Sequence, residues 1–331
     1  MGHSRLITDK ELSEYLEGNS VVSKAKALFL HQTNNWKLAK KNYLDLKSIK
    51  KKVFEFDGFK IVVQFNHGRI ISSSAKVDAK SIGERACFLC TNNLPIEQKG
   101  VLCNNNYILL LNPFPIFEQH FTIPQLDHLP QEIENNFGDM LKIAKELGDE
   151  YTIFYNGPKC GASAPDHMHF QASLKNMMPV EKEYDYIHEH SKELLNNEKI
   201  RVVAVTKYLR NCFLIESDNK ILTEEEFQKL YNSIKKITTS EEEPLMNIIV
   251  TYSDKWRVFI FPRKAHRPKQ FFAEGETKIL LSPAAVDFGG LLITPREEDF
   301  IKILKEDIVD IFEQTTVDEI MVEKISEQYC G

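Results

Sequence analysis

The segment His167-Met168-His169-Phe170-Gln171 brings together the side chains best suited to chemistry. Side chains alternate along a β-strand, so His167, His169 and Gln171 would share one face, with Met168 and Phe170 on the other. An isolated His-x-His reads most simply as polar residues on an exposed edge strand. The loop just upstream, NGPKCGASAPD (156–166), argues for more. It holds Gly157, Gly161 and Ser163, with Lys159 between the glycines. Glycines let backbone N–H groups approach an anion closely, and a hydroxyl and an ammonium add donors, a composition that suits a phosphate. A histidine one strand away can attack phosphorus if its far ring nitrogen is neutral and the other is held protonated by a backbone carbonyl.

Other residues could serve such a site. Cys87 and Cys90 form the one pair with ligand spacing among six cysteines, and they read as a redox pair, buried packing, or half of a metal site. A tetrahedral structural zinc needs two further ligands, for which His120 and His167 are candidates. Asn66, Arg69 and Lys76 lie close together early in the chain, and Arg263, Lys264 and Arg267 cluster in FPRKAHRPK. Arg263 directly follows the apolar run VFIFP, so its side chain can point back into a site, where a polyphosphate would need cations. Asn112, at the end of YILLL, reads equally as a base or ribose contact and as a turn former before Pro113. His188 and His190 form a second His-x-His in YIHEHSKELL, which reads as a solvated helix face on which i and i+2 diverge.

The elements that must position these residues alternate along the chain. Residues 1–52 are lysine-rich with apolar residues at helical spacings, an N-terminal helical extension packed on a later core. VFEFDGFKIVVQF reads as two strands joined by an Asp57-Gly58 turn. YILLL is a buried strand stopped by Pro113 and Pro115, and HFTIP a second strand. Residues 130–147 form a helix capped by Gly148, followed by the strands YTIFY and HMHFQASL. The second half gives the hairpin IRVVAVTKYLRNCFLIE, then the helix LTEEEFQKLYNSIKKI with a capping box in Thr223 and Glu226. Another hairpin, NIIVTYSDKWRVFIFPR, leads to a last helix starting at Thr294-Pro295-Arg296-Glu297. These add up to an α+β unit of antiparallel sheets with packed helices, built as two similar lobes over 53–180 and 181–331.

The chain has 331 residues with 42% apolar and 27% charged, a composition that excludes disordered and fibrous classes. Its net charge of −6 argues against a nucleic-acid partner or an anionic membrane surface, so any bound anion needs a local cluster of donors. No apolar stretch approaches the roughly 20 residues of a membrane span, and the charged start MGHSRLITDKELSEYLEG lacks the apolar core of a signal peptide. A cytoplasmic protein is expected.

The stretch NGPKCGASAPDHMHFQ resembles the active-site segment of the histidine-triad (HIT-like) superfamily, in the transferase branch with His-x-His-x-Gln. That branch holds galactose-1-phosphate uridylyltransferase, diadenosine tetraphosphate (Ap4A) phosphorylase and the GDP-hexose phosphorylases. QFNHGRIISSSAKVD and HMHFQASLKNMMPVEKE are similar to GDP-hexose phosphorylase segments. The resemblance extends from about Val53 to at least Phe300 and implies a HIT-like fold. It makes His169 the nucleophile that forms a nucleotidyl-histidine. Gln171 stands where the hydrolases of the superfamily have a third histidine; its amide can hold a phosphoryl oxygen but cannot shuttle a proton, which favours transfer over hydrolysis. Ser163 and Asn156 fall where the uridylyltransferases bind phosphate, with one extra residue between Ser163 and His167. Asn66, Arg69, Lys76, Asn112, Asn156, Lys159, Gly161 and Arg263 are the expected substrate contacts. The uridylyltransferases use two cysteines, an intervening histidine and the first histidine of the motif as zinc ligands, an order that Cys87, Cys90, His120 and His167 match, with His167 next to the chemistry.

The expected function is a nucleotidyltransferase of the phosphorylase type. It takes a nucleoside diphosphate sugar, GDP-hexose first, and passes the nucleotidyl group to phosphate or a sugar phosphate. Ap4A phosphorolysis and hexose-1-phosphate uridylyl transfer are the enzymatic alternatives, and a non-catalytic nucleotide-binding protein is the alternative of another class. Assembly into a homodimer is compatible with this reading.

Overall fold

A computed structural model describes residues 5–70 and 78–331. Lys76, expected at the site, lies outside the described residues. Among them, no helix is long and apolar enough to cross a membrane.

The Asp57-Gly58 turn joins β1 (Lys50–Glu55) to β2 (Lys60–Phe65) as an antiparallel hairpin. Gly58 has φ +81°, a left-handed conformation that side chains with a Cβ rarely adopt. The hairpin is completed from the far end of the sequence, because β13 (Leu291–Thr294) runs parallel to β2.

The main framework is a second sheet, with ten strands among the described residues. They are β3 (Gly100–Cys103), β4 (Tyr107–Leu111), β5 (His120–Pro124), β6 (Tyr151–Asn156) and β7 (His169–Leu174), then β8 (Ser191–Asn196), β9 (Ile200–Val205), β10 (Cys212–Ser217), β11 (Met246–Tyr252) and β12 (Trp256–Pro262). Their spatial order is β3-β4-β5-β7-β6-β11-β12-β10-β9-β8. Five strands of the first half thus meet five of the second at the antiparallel β6–β11 pair, where Asn156 faces Asn247.

One face of this sheet buries Phe170, Ala172, Ile153 and Tyr155 under the helices Val21–Asn35, Phe137–Leu147, Lys220–Ile237 and Glu319–Cys330. The opposite face packs Phe154 and Ile249 beneath the small sheet and the helix Lys305–Thr315. With Phe170 and Ala172 fixed in the helical layer, alternation turns His169 and Gln171 to the other side. That side is where the C-terminal segments fold over the sheet.

Several boundaries differ from the sequence reading. β7 begins at His169, because His167 closes a turn onto the carbonyl of Ala164. The helix expected over 130–147 starts at Phe137. The helix Lys220–Ile237 is capped by Asn219, whose side chain accepts from the Leu222 amide, while Thr223 lies inside and donates to the Asn219 carbonyl. The last helix divides into Glu297–Lys302 and Lys305–Thr315, since Asp307 caps a new start by accepting the Leu304 amide. In YIHEHSKELL the helix stops at Glu189 and β8 follows.

A Cβ at Gly58 would lie 2.2 Å from the Tyr186 ring and would carry the strained φ. Gly58→Ala is therefore expected to lose about 1–3 kcal/mol of stability, read from the urea midpoint.

Candidate active site

His169 opens β7 and is 5% exposed. Its Nδ1 lies 2.8 Å from the carbonyl oxygen of His167, which can only accept, so Nδ1 carries the proton and Nε2 keeps its lone pair. Burial lowers the His169 pKa to about 4, holding the ring neutral. Gln131, which the sequence reading missed, clamps the strand start. Its Oε1 accepts from the His169 amide at 2.8 Å, and its Nε2 donates to the carbonyls of His169 and Asn156 at 3.0 and 2.9 Å. A lone glutamine in a loop gives no sequence signal for that.

Two residues along, Gln171 is paired with Thr122 of β5 and Phe154 of β6. Its Oε1 lies 2.9 Å from His120 Nε2, and the Ile116 amide donates to His120 Nδ1 at 3.2 Å. His120 is therefore committed to Gln171 and is no neighbour of the cysteines, against the ligand role expected for it.

The glycine loop packs against the C-terminal half. Gly161 has φ +98°, and a Cβ there would lie 2.7 Å from that of Ala284, so glycine is what lets the loop reach the C-terminal half. The amides of Gly161, Ala162 and Ser163 and the Ser163 hydroxyl take no hydrogen-bond partner among the described residues. Asn156 Oδ1 accepts from Asn247 Nδ2 at 3.0 Å and from the Ala285 amide at 2.8 Å.

A cavity of about 520 Å³ holds these groups together. Asn112, Asn156, Gly161, Ser163, His169, Gln171 and Arg69 all line it. Arg69 donates to the Phe114 carbonyl at 2.8 Å, and burial lowers its pKa to about 10. Asn112 also shapes the turn, accepting from the Phe114 amide at 2.9 Å and donating to Thr122. Asn66 stands behind the wall, its Nδ2 donating to the Pro115 carbonyl at 3.0 Å.

Asn66, expected as a contact, thus lies off the cavity wall, and two further expected contacts are corrected. Lys159 is an exposed partner of Glu242 at 2.6 Å and does not line the cavity. Arg263 is 2% exposed, and its five N–H bonds are all spoken for: by Asn247 Oδ1 at 2.6 Å and, at 3.0 Å, the carbonyls of Thr315, Pro283, Ala265 and His266. It is a strut between segments with no donor left for a substrate. Arg267, four residues on, reaches the cavity instead. Its Nε donates to Ser282 Oγ at 3.0 Å and its plane lies 4.1 Å over the Phe271 ring, while its terminal nitrogens have no partner among the described residues. His266 and Ser282 line the same wall.

The cavity wall combines apolar and polar side chains. Trp36, Leu38, Phe88, Leu94 and Phe114 form an apolar part, two of them from the N-terminal helical region. Arg69, Ser163, His169, Gln171 and Arg267 supply the polar part.

Beneath the site, Cys87, Cys90, His128 and His167 converge, with one ligand atom of each within 4.8 Å of the others. His167 Nδ1 lies 3.3 Å from Cys87 Sγ and 3.6 Å from Cys90 Sγ, and His128 Nδ1 lies 3.1 Å from Cys90 Sγ. Ligand atoms around a tetrahedral zinc stand roughly 3.5 Å apart, given metal–ligand distances near 2.0–2.3 Å. The cluster can thus hold a metal ion, with His128 in the place expected of His120. His167 Nε2 is 2.7 Å from the Gln125 carbonyl, an outer contact that turns Nδ1 toward the sulfurs. Nothing in Leu126-Asp127-His128-Leu129 marks that histidine as a ligand, and spacing alone did not favour it over His120.

Comparison with known proteins adds three findings. Residues 28–174 match the DUF4922 domain, a domain of unknown function, and residues 180–331 match the GDPGP1-like C-terminal domain. No curated protein matches the chain. The fold is similar to that of yeast Ap4A phosphorylase Apa2, solved with Ap4A (17% identity, TM-score 0.52, 88% of this chain and 97% of that one) and with AMP (15%, 0.51, 87% and 97%). The chain thus shares its fold with an Ap4A phosphorylase and carries a GDPGP1-like C-terminal domain over residues 180–331.

Proposed function

We propose that this protein is an enzyme, a phosphorylase that transfers a nucleotidyl group through His169, taking a nucleoside diphosphate sugar and passing the nucleotide to phosphate or a sugar phosphate. The observation that carries this reading is the Nδ1–H of His169 held on the His167 carbonyl, which leaves Nε2 free in a cavity lined with phosphate donors. Nε2 attacks the α-phosphorus and an N–P bond forms. The bond to the bridging oxygen breaks, and the sugar phosphate leaves as an anion that needs no proton. The imidazolium created is stabilised by the carbonyl already bonded to Nδ1. An oxygen of the acceptor phosphate then attacks the same phosphorus and restores the neutral histidine.

Ser163, the three unpartnered amides and Gln171 hold the transferred phosphoryl oxygens. The apolar side chains Trp36, Leu38 and Phe88 of the lining are suited to the nucleoside. Arg267 receives the leaving and accepting phosphate, which occupy one place in a double displacement; a half-buried guanidinium with free terminal nitrogens is suited to an anion. The GDPGP1-like match over 180–331 supports a GDP-hexose as the first donor to test. Ap4A is the second, because the fold is shared with an Ap4A phosphorylase.

The metal we propose for the Cys87, Cys90, His128 and His167 cluster is zinc, the ion suited to two thiolates and two imidazoles. Bound there it would act as a structural cross-link with all four positions filled.

Wild-type protein mixed with labelled GDP-hexose and no acceptor should trap an acid-labile nucleotidyl-protein and stall until phosphate is added. His169→Gly should lose roughly 10³-fold or more in turnover while staying folded. UDP- and ADP-hexoses and Ap4A complete the donor panel, and steady nucleotide release without acceptor would mean hydrolysis instead.

Arg267→Gln should raise KM for phosphate by about 10–100-fold, the loss expected for a charge-assisted contact. An unchanged phosphate KM would remove Arg267 from the acceptor site.

Protein purified without chelator should carry about one zinc per chain by elemental analysis. His128→Ala should lose the metal and several degrees of melting temperature, whereas His120→Ala should retain it.

A further inference from the structure

His120 is fully buried, outside the metal cluster and off the cavity wall, yet its ring is hydrogen-bonded at both nitrogens. One of those bonds settles the other. The Ile116 amide can only donate, so His120 Nδ1, 3.2 Å away, must accept and carries no proton. In a neutral ring the proton then sits on Nε2, and Nε2–H donates across 2.9 Å to Gln171. Gln171 must answer with its carbonyl oxygen, since its NH2 group would set donor against donor. The amide therefore has one orientation, with Oε1 toward the interior and both N–H donors toward the cavity that Gln171 lines with His169.

The ring is in no position to abandon this tautomer. Phe117 and Phe154 flank it at centroid distances of 5.6 and 5.9 Å. Its backbone is pinned in β5 opposite Ser173, and the Tyr43 hydroxyl donates to its carbonyl at 2.9 Å. Burial, reinforced by Arg69, pushes its pKa down to about 3, so the ring stays neutral wherever an enzyme would work.

We infer that His120 is a positioning residue that locks the Gln171 side chain with its NH2 facing the transferred phosphoryl group. The inference deepens the nucleotidyl-transfer reading and rests on it for its rate consequence. A glutamine free to flip presents its carbonyl oxygen to the phosphoryl oxygens about as readily as its NH2. Repulsion then replaces a donor at the moment negative charge develops. The chain Ile116 amide, His120 ring, Gln171 carbonyl passes the fixed polarity of a backbone N–H to a side chain that has none of its own.

A double-mutant cycle on His120→Phe and Gln171→Ala reads this directly. Each single substitution should slow nucleotidylation of the protein by GDP-hexose about 10-fold or more, with donor KM within about twofold. In the Gln171→Ala background, His120→Phe should cost almost nothing further, because there is no amide left to orient. His120→Gln, which returns a donor near the Nε2 position, should recover most of the rate. A full second loss in the double variant, or a His120→Phe protein of wild-type rate, overturns the inference. Should His120→Phe fail to fold, His120→Gln and the ring tautomer carry the test. 15N NMR of histidine-labelled wild-type protein should show His120 protonated at Nε2, and protonation at Nδ1 overturns the inference. That tautomer is read without any reaction, so a protein that forms no nucleotidyl intermediate would defeat the proposed function while still deciding this point.

Discussion

The hydrogen bond from His169 Nδ1 to the carbonyl of His167 is the contact on which the rest of the site depends. It leaves Nε2 unprotonated and sets a carbonyl where positive charge on the ring would be stabilised, as the proposed attack requires. Both ends of the bond must be immobile for this to hold. His169 is fixed by Gln131 and by the start of β7. The His167 carbonyl is fixed through its own side chain, which is drawn between Cys87 and Cys90 on one nitrogen and onto the Gln125 carbonyl with the other. A Cys/His cluster able to hold a metal ion thus sits two residues from His169 and helps fix the carbonyl that sets the tautomer of that ring.

A second set of buried contacts joins the two halves of the chain beside the cavity. β6 and β11 join the strand sets, and Asn156 and Asn247 at that seam bond each other. Asn247 is in turn held by Arg263, whose remaining N–H bonds end on carbonyls from Ala265 and His266 through Pro283 to Thr315. A buried guanidinium with every donor satisfied is tolerable, whereas one left without a partner would cost several kcal/mol. The glycine loop lies against Ala284 at Gly161, and its Ser163 and the Arg267 of the second half line one cavity.

Much of the architecture was legible because it rests on local rules. Asp57-Gly58 marks a hairpin, Gly148 with φ +51° ends the helix Phe137–Leu147, and the runs around Cys212 and Trp256 pair as expected. Period-two alternation also put His169 and Gln171 on one face. What could not be read are features set by distance in space rather than along the chain. His120 and His128 sit equally well between the cysteines and His167 in sequence order, and only the fold of β5 turns the first inward and delivers the second to the cluster. Arg263 and Arg267 share one basic run, but the end of β12 points the nearer one into the seam. Trp36 and Leu38 reach the cavity from a region that composition marks only as a lysine-rich helical extension.

The cavity also bears on the choice between transfer and hydrolysis. Water competes with any acceptor for a nucleotidyl-histidine, and a general base near the phosphorus would favour water by activating it. The titratable side chains lining the cavity are His169, His266, Arg69, Arg267 and Asp287. His169 is the proposed nucleophile and the arginines stay charged. His266 is lowered to about 4 by burial and by Arg267 and Arg263, and its Nε2 lies 3.4 Å from the Ser282 hydroxyl. Asp287 is the one carboxylate of the set; burial raises its pKa to about 7, and its two oxygens are turned toward the Ala284 and Ile293 amides at 2.9 and 3.1 Å. Gln171, where a third histidine would stand, contributes donors and no base. An anionic acceptor needs no base, because its oxygen is already a nucleophile, and it is drawn in by the guanidinium that water does not need. On the proposed route, the site would discriminate by charge, favouring a phosphate over a neutral water molecule at the same phosphorus.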